Sequence, residues 1–222
     1  MLKEFAASVP EIFSSRFGLE EVPADGYTSM RWPKLLPLMR FSVKRYLAKG
    51  YGHIMVMETR AMGGLMKLTT ASFTPSEGAS VPYLLIDMMS MKDKRTVFVE
   101  YYDRTAAGAD IPELDELKKE YSDIPDYGEK PAWYVGERMP CSLIKGGKTE
   151  DEDRMLEMVL RSLNAYADAA ASAPKDAANL HRLKAFADRM VREGNPSSGT
   201  MEKVLGKDGA EEFFRTAVMP VE

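Results

Sequence analysis

Apolar residues first recur at helical spacing, Phe5, Val9, Ile12 and Phe13, within LKEFAASVPEIFSSRFGLEE, which predicts one or two short amphipathic helices ending at Gly18. The next stretch, VPADGYTSMRWPKLLP, reads as a connector rich in turn residues. From Tyr46 to Tyr102 the period changes to that of strands: YGHIMVMETR, GLMKLTTASF, PYLLIDMM and TVFVEYYD, bounded by turns such as MGG, TPSEGAS and KDK. Strands with such short links pair antiparallel. PELDELKKEY reads as an exposed helix, and KPAWYVGERMPCSLI as irregular chain leading into a further strand. In TEDEDRMLEMVLRSLNAYADAAASA, Thr149 and Asp153 take N-cap and first-turn roles. Met155, Met158, Val159, Leu163 and Tyr166 then share one face of a long core-facing helix. DAANLHRLKAFADRMVREG predicts a second helix stopping at Gly194, and two shorter helices flank Gly206. Strands first and helices after imply an α+β layered architecture, helices over a mostly antiparallel sheet, with residues 1–222 read as one domain.

Composition narrows the function classes. A formal net charge of -4 supplies no global basic field for nucleic acid or an anionic membrane. The single cysteine, Cys141, excludes an internal disulfide and lacks a nearby histidine or CxxC partner. His53 and His181 lie too far apart for metal-ligand spacing. No apolar run approaches the roughly 18 residues of a membrane span, and the N-terminus lacks the apolar segment of a secretory signal. A cytoplasmic monomer with no bound cofactor is expected. MGGLMK and KGGK lack the spacing and strand–loop–helix setting of a phosphate loop, and Ser and His form no recognisable triad.

The candidate chemistry lies in the strands. Asp87 interrupts the apolar run VPYLLIDMM, and burying an unpaired carboxylate costs several kcal/mol unless the group keeps a proton. Glu58 ends one strand and Thr70 sits in the next, so a meander could bring all three to one face. Of sixteen methionines, Met55, Met57, Met62, Met66, Met88, Met89 and Met91 gather in the sheet region. Such side chains pack ordinary cores and also suit a pocket for a large flat apolar ligand.

The segment REGNPSSGTMEKVLGKDGAEEFFRTAVMP resembles the C-terminal signature of the ferredoxin-dependent bilin reductases, with Gly206, Ala210, Glu211, Phe213, Phe214 and Val218 at the matching offsets. Pro82 and Asp87 resemble that family's P-x-x-G-x-D, Leu85 replacing the glycine. Pro75 and the PAW of Pro131 to Trp133 fit the same frame. The resemblance implies a three-layer α/β/α sandwich holding a linear tetrapyrrole, biliverdin or a related bilin, between sheet and C-terminal helices. It implies no metal or flavin: reduced ferredoxin is the external donor of single electrons, and side chains supply protons. Asp87 falls on the family's catalytic aspartate and Glu58 on a glutamate that protonates a vinyl group. Thr70 stands where a histidine is expected. Asn195 replaces a second aspartate, followed by Pro196 where some members have a basic residue. Thr70, Asn195, Met57 and Met88 are the implied substrate contacts. Ferredoxin is acidic, so Lys92, Lys94 and Arg95 are the expected docking patch, with Arg189, Arg192, Lys203 and Lys207 as a second cluster. A non-catalytic bilin carrier or chaperone, or a reductase of chlorophyll-derived linear tetrapyrroles, would show the same features.

Overall fold

The protein is described from a computed structural model covering residues 1–221. Helix α1 (Leu2–Ser14) leads into a sheet of β1 (Gly18–Val22), β2 (Ser29–Trp32), β3 (Met39–Lys49), β4 (Gly52–Ala61), β5 (Met66–Thr74), β6 (Tyr83–Met91), β7 (Lys94–Tyr102) and β8 (Leu143–Lys148). Helix α2 (Pro112–Glu120) interrupts the strands after β7, and α3 (Glu152–Ser172), α4 (Ala177–Glu193) and α5 (Ser198–Phe213) follow them. The order is β1-β3-β4-β5-β6-β7-β8, all antiparallel, with β2 also on the outer edge of β3.

Alternation divides the core in two. One sheet face buries Ile54, Phe73, Ile86 and Val99 against Phe5 of α1 and Val159 of α3. The other buries Phe41, Met55, Tyr83 and Tyr102 against Phe186 and Met190 of α4 and Phe213 of α5. This is the three-layer sandwich expected from the sequence. Tyr166 ties α3 to the sheet: its hydroxyl donates to the Pro82 carbonyl at 2.7 Å, so the Tyr51 hydroxyl, 2.9 Å away, is the donor to Tyr166.

The first third corrects the sequence reading. The supposed connector contains β2, and the strand region begins at Met39 rather than Tyr46, β3 being a full eleven-residue strand. Phe41 and Val43 point to one layer, whereas Tyr46 and Ala48 point to the other. Different helices cover the two halves of this strand, so the alternation changes parity midway and hides it. Helix α2 is not wholly exposed, because Leu114 and Leu117 are buried. Gly206, at φ 77°, breaks α5 into the two short pieces expected. The β3–β4 hairpin depends on Gly52, whose φ is 140° and whose added Cβ would lie 2.4 Å from both Ser76 N and Thr74 O. Gly52→Ala is therefore expected to destabilise by about 2 kcal/mol, readable as a lowered urea midpoint at unchanged slope.

Candidate active site

The strand register assembles the site. Met57 on β4 lies opposite Thr70 on β5, and Thr70 lies opposite Asp87 on β6. All three project towards α4 and α5. The Thr70 hydroxyl donates to Asp87 Oδ1, which leaves Oδ2 for the space beyond. Asp87 lies deep beneath the helices but keeps part of its surface open to a cavity. Withdrawal from water pushes its carboxyl up to about 6, against the opposing pull of the Thr70 hydrogen bond. Its protonated form therefore persists to higher pH than that of an ordinary carboxyl.

Two cavities meet at this carboxyl. One, about 210 Å³, is walled by Met39, Met55, Met57, Met66, Met190 and Met201 together with Phe41, Tyr83 and Phe214. The other, about 280 Å³, runs over Met89 and Phe98 to Glu100, Tyr134 and Arg138. Both are bordered by Leu68, Asp87 and Pro196. Each alone is below the roughly 300–1,000 Å³ of a typical ligand site, so a large guest must occupy both and pass Asp87. Two buried oxygens in the walls, Thr59 Oγ1 and Glu129 Oε2, have no hydrogen-bond partner within the protein and are free to meet polar groups of that guest. A larger groove of about 530 Å³ lies along α4 and α5, but charged residues such as Arg192, Glu193 and Lys207 line it and Asp87 does not.

The other expected site residues divide. Met57 and Thr70 line the methionine-rich cavity, as does Asn195. The Asn195 side-chain oxygen, however, accepts from Ser197 N at 3.0 Å and Ser197 Oγ at 2.8 Å, so it shapes the turn into α5. Glu58 does not join Asp87. It pairs with Thr69, one residue off the Thr70 row, and a one-residue offset places it on the opposite sheet face beside Arg60 and Lys67. Met88 likewise turns away from its neighbour Asp87 and is fully buried in the layer of α1 and α3. Arg95 is unavailable for docking. It bonds Glu152 at 2.7 Å and the Lys92 and Lys94 carbonyls at 2.9 and 3.0 Å, whereas Lys92 and Lys94 stay exposed. In the second cluster, Arg189 is held by Glu137 and Glu193, and Arg192 by Glu193.

Sequence reasoning missed Glu100. It lies opposite Leu85, two residues from Asp87 on the same face, and is 1% exposed. Tyr102 OH donates to its Oε1 at 2.9 Å and Arg138 Nε at 2.5 Å. Burial raises its carboxyl to about 7, Arg138 pulling it down and Asp87 pushing it further up. Arg138 also bonds Glu129 at 2.6 Å. The alternation of TVFVEYY could have flagged Glu100, since it falls in phase with two aromatics.

No family model matches the sequence, and no curated protein does. The fold itself is shared with solved structures. One is phytochromobilin synthase from tomato, determined in complex with biliverdin. It matches with a TM-score of 0.76 over 98% of this chain and 83% of that one, at 10% identity. At that identity the two proteins share a fold.

Proposed function

We propose that this protein reduces an open-chain tetrapyrrole of the biliverdin class by coupled single-electron and proton transfers, with ferredoxin as electron donor and Asp87 as proton donor. The observation that carries the reading is a carboxyl with its proton-holding range moved to about 6, set where two apolar cavities join. An electron added to a neutral bilin in such a place leaves an uncompensated anion in low dielectric. A proton delivered with each electron removes that penalty. Saturating one double bond takes two electrons and two protons. Asp87 supplies the first proton from Oδ2 while Thr70 fixes Oδ1, and Glu100 is the second carboxyl within the same cavity system. The fold shared with a biliverdin-bound synthase and the resemblance of the C-terminal segment support the substrate class.

The test is an anaerobic assay with biliverdin, ferredoxin and a ferredoxin-reducing system. Progressive blue shift of the long-wavelength band, as conjugation is interrupted, is the expected result. A stoichiometric complex whose spectrum stays constant through prolonged reduction would assign the pocket to a carrier instead.

A further inference from the structure

At one end of the sheet, four cations stand in register across four strands. Arg31 on β2 lies opposite Arg40 on β3, Arg40 opposite Arg60 on β4, and Arg60 opposite Lys67 on β5. All four are exposed. Among the described residues none of them joins an ion pair. Directly opposed like charges sit about 5 Å apart and weaken strand pairing. The neighbouring row on this face, Ser29, Ser42, Glu58 and Thr69, carries a single charge. Glu58 is the one carboxylate beside these four cations in the adjoining row, so the ladder keeps a net positive charge that an anionic surface from outside the chain would complement.

Its surroundings are those of a protein contact. A groove of about 420 Å³ runs past Arg60, Lys67, Lys3 and Glu58. Along the adjoining sheet end lie Leu35, Leu36 and Leu38, exposed by 95%, 82% and 59%, with Met62 and Leu65 at 59% and 56%. They form one fringe: Met62 N donates to Leu38 O at 3.1 Å, and Lys92 N to Leu65 O at 3.4 Å. Large exposed apolar side chains ringed by charge mark interaction sites.

We propose that this sheet end docks a small acidic electron-carrier protein, with the Arg31–Arg40–Arg60–Lys67 ladder meeting its carboxylates and the leucine fringe forming the apolar part of the contact. The inference rests on the reductase reading and gives its donor a place. Register fixes the backbone positions of the cations at one per strand, a spacing suited to carboxylates set on a folded protein rather than to a fluid lipid surface. The strand neighbours of the rungs, Phe41, Thr59 and Leu68, line the cavity on the other face, so the carrier sits one sheet thickness from the bound tetrapyrrole. Each docking oxidises one reduced carrier by one electron and reduces the tetrapyrrole by one. Two dockings, with one proton from Asp87 and one from Glu100, convert one double bond to a saturated one.

The test uses the full chain carrying Arg40→Glu, Arg60→Glu and Lys67→Glu together. The apparent KM for reduced ferredoxin should rise at least roughly tenfold at low salt and lose most of its salt dependence, since steering between exposed charges fades within about 8 Å at physiological ionic strength. Biliverdin affinity, and reduction driven by dithionite with a viologen mediator, should match the parent. Arg40→Gln with Arg60→Gln guards against a folding artefact: its Tm should equal or exceed the parent's as repulsion is relieved, with the ferredoxin KM still raised. Unchanged ferredoxin kinetics in the triple variant would overturn the proposal. So would loss of binding to phosphatidylglycerol vesicles with ferredoxin kinetics intact, which would assign the ladder to lipid. A parent reduced by the viologen but not by ferredoxin refutes the docking surface and ferredoxin as donor, and leaves tetrapyrrole reduction standing. A parent reduced by neither refutes both.

Discussion

Asp87→Asn is expected to bind biliverdin as the parent does and to reduce it roughly 10²–10⁴-fold more slowly, the usual effect of removing a positioned proton donor. Asparagine keeps the volume and an oxygen to accept from the Thr70 hydroxyl, so the pocket should hold its shape. The pH profile sharpens the test. The carboxyl must be protonated to act, and burial places its titration at about 6. The parent rate should therefore fall as pH rises through that value, and the residual rate of the variant should lose the feature. The sign for stability runs the same way: a folded-state value above the usual one favours folding while the group is protonated, and that contribution disappears as pH rises through about 6. Single-turnover decay of the bilin band across pH, with binding measured separately, gives both quantities. A parent-like rate in the variant would make Asp87 a structural residue.

Arg138→Met should give the largest loss of stability of any single surface-to-core contact described. Glu100 is 1% exposed, and Arg138 bonds both its Oε1 and Glu129. Removing one member of a buried pair leaves an uncompensated charge and costs about 3–5 kcal/mol. For a chain of this length that corresponds to a Tm lower by roughly 10 °C. The loss should depend on pH. Glu100 already titrates at about 7 in the parent, and without the guanidinium it moves higher still. At pH 5 the carboxyl is neutral and needs no partner, so the penalty should be small, while at pH 8 it should be clearly larger and still growing with pH. Thermal unfolding at those two values decides the matter, and an equal loss at both would show that Arg138 contributes only packing.

Much of this arrangement can be read from residue order, and the parts that cannot depend on strand parity or on partners distant in sequence. Strands β4 to β7 and the helices after β8 follow directly from periodicity and turn residues. Within them, Asp87 and Thr70 meet because the intervening turn gives an even register. Glu58 was misplaced because whether it faces Asp87 depends on a single residue in the Met62–Gly64 turn, and composition does not set that count. The same parity rule puts Met88 behind the sheet. The alternation of β7 puts Glu100 in phase with Phe98 and Tyr102, but its pairing with Arg138, 38 residues away in an irregular segment, lies beyond the reach of local patterns. The basic ladder was invisible for a related reason: its rungs come from four separate strands, one of which had been read as linker.

The last turn of the chain, Phe214–Val218, crosses the floor of the sheet. There the Val218 carbonyl accepts from the Ser72 hydroxyl and, at 3.4 Å, from that of Thr74. At the other end of the same helical layer, Ser80 N donates to Pro174 O at 2.8 Å and Asn179 Nδ2 to Gly78 O at 3.0 Å. The layer over the pocket is thus a strap buckled at both ends. Lifting it to admit a guest would break one buckle, whereas Asn195 and Pro196, in the turn between α4 and α5, border the cavity and belong to neither buckle. Stiffening that turn is therefore expected to slow the arrival and departure of a bound tetrapyrrole together while leaving equilibrium affinity almost where it was, a change that stopped-flow binding would read.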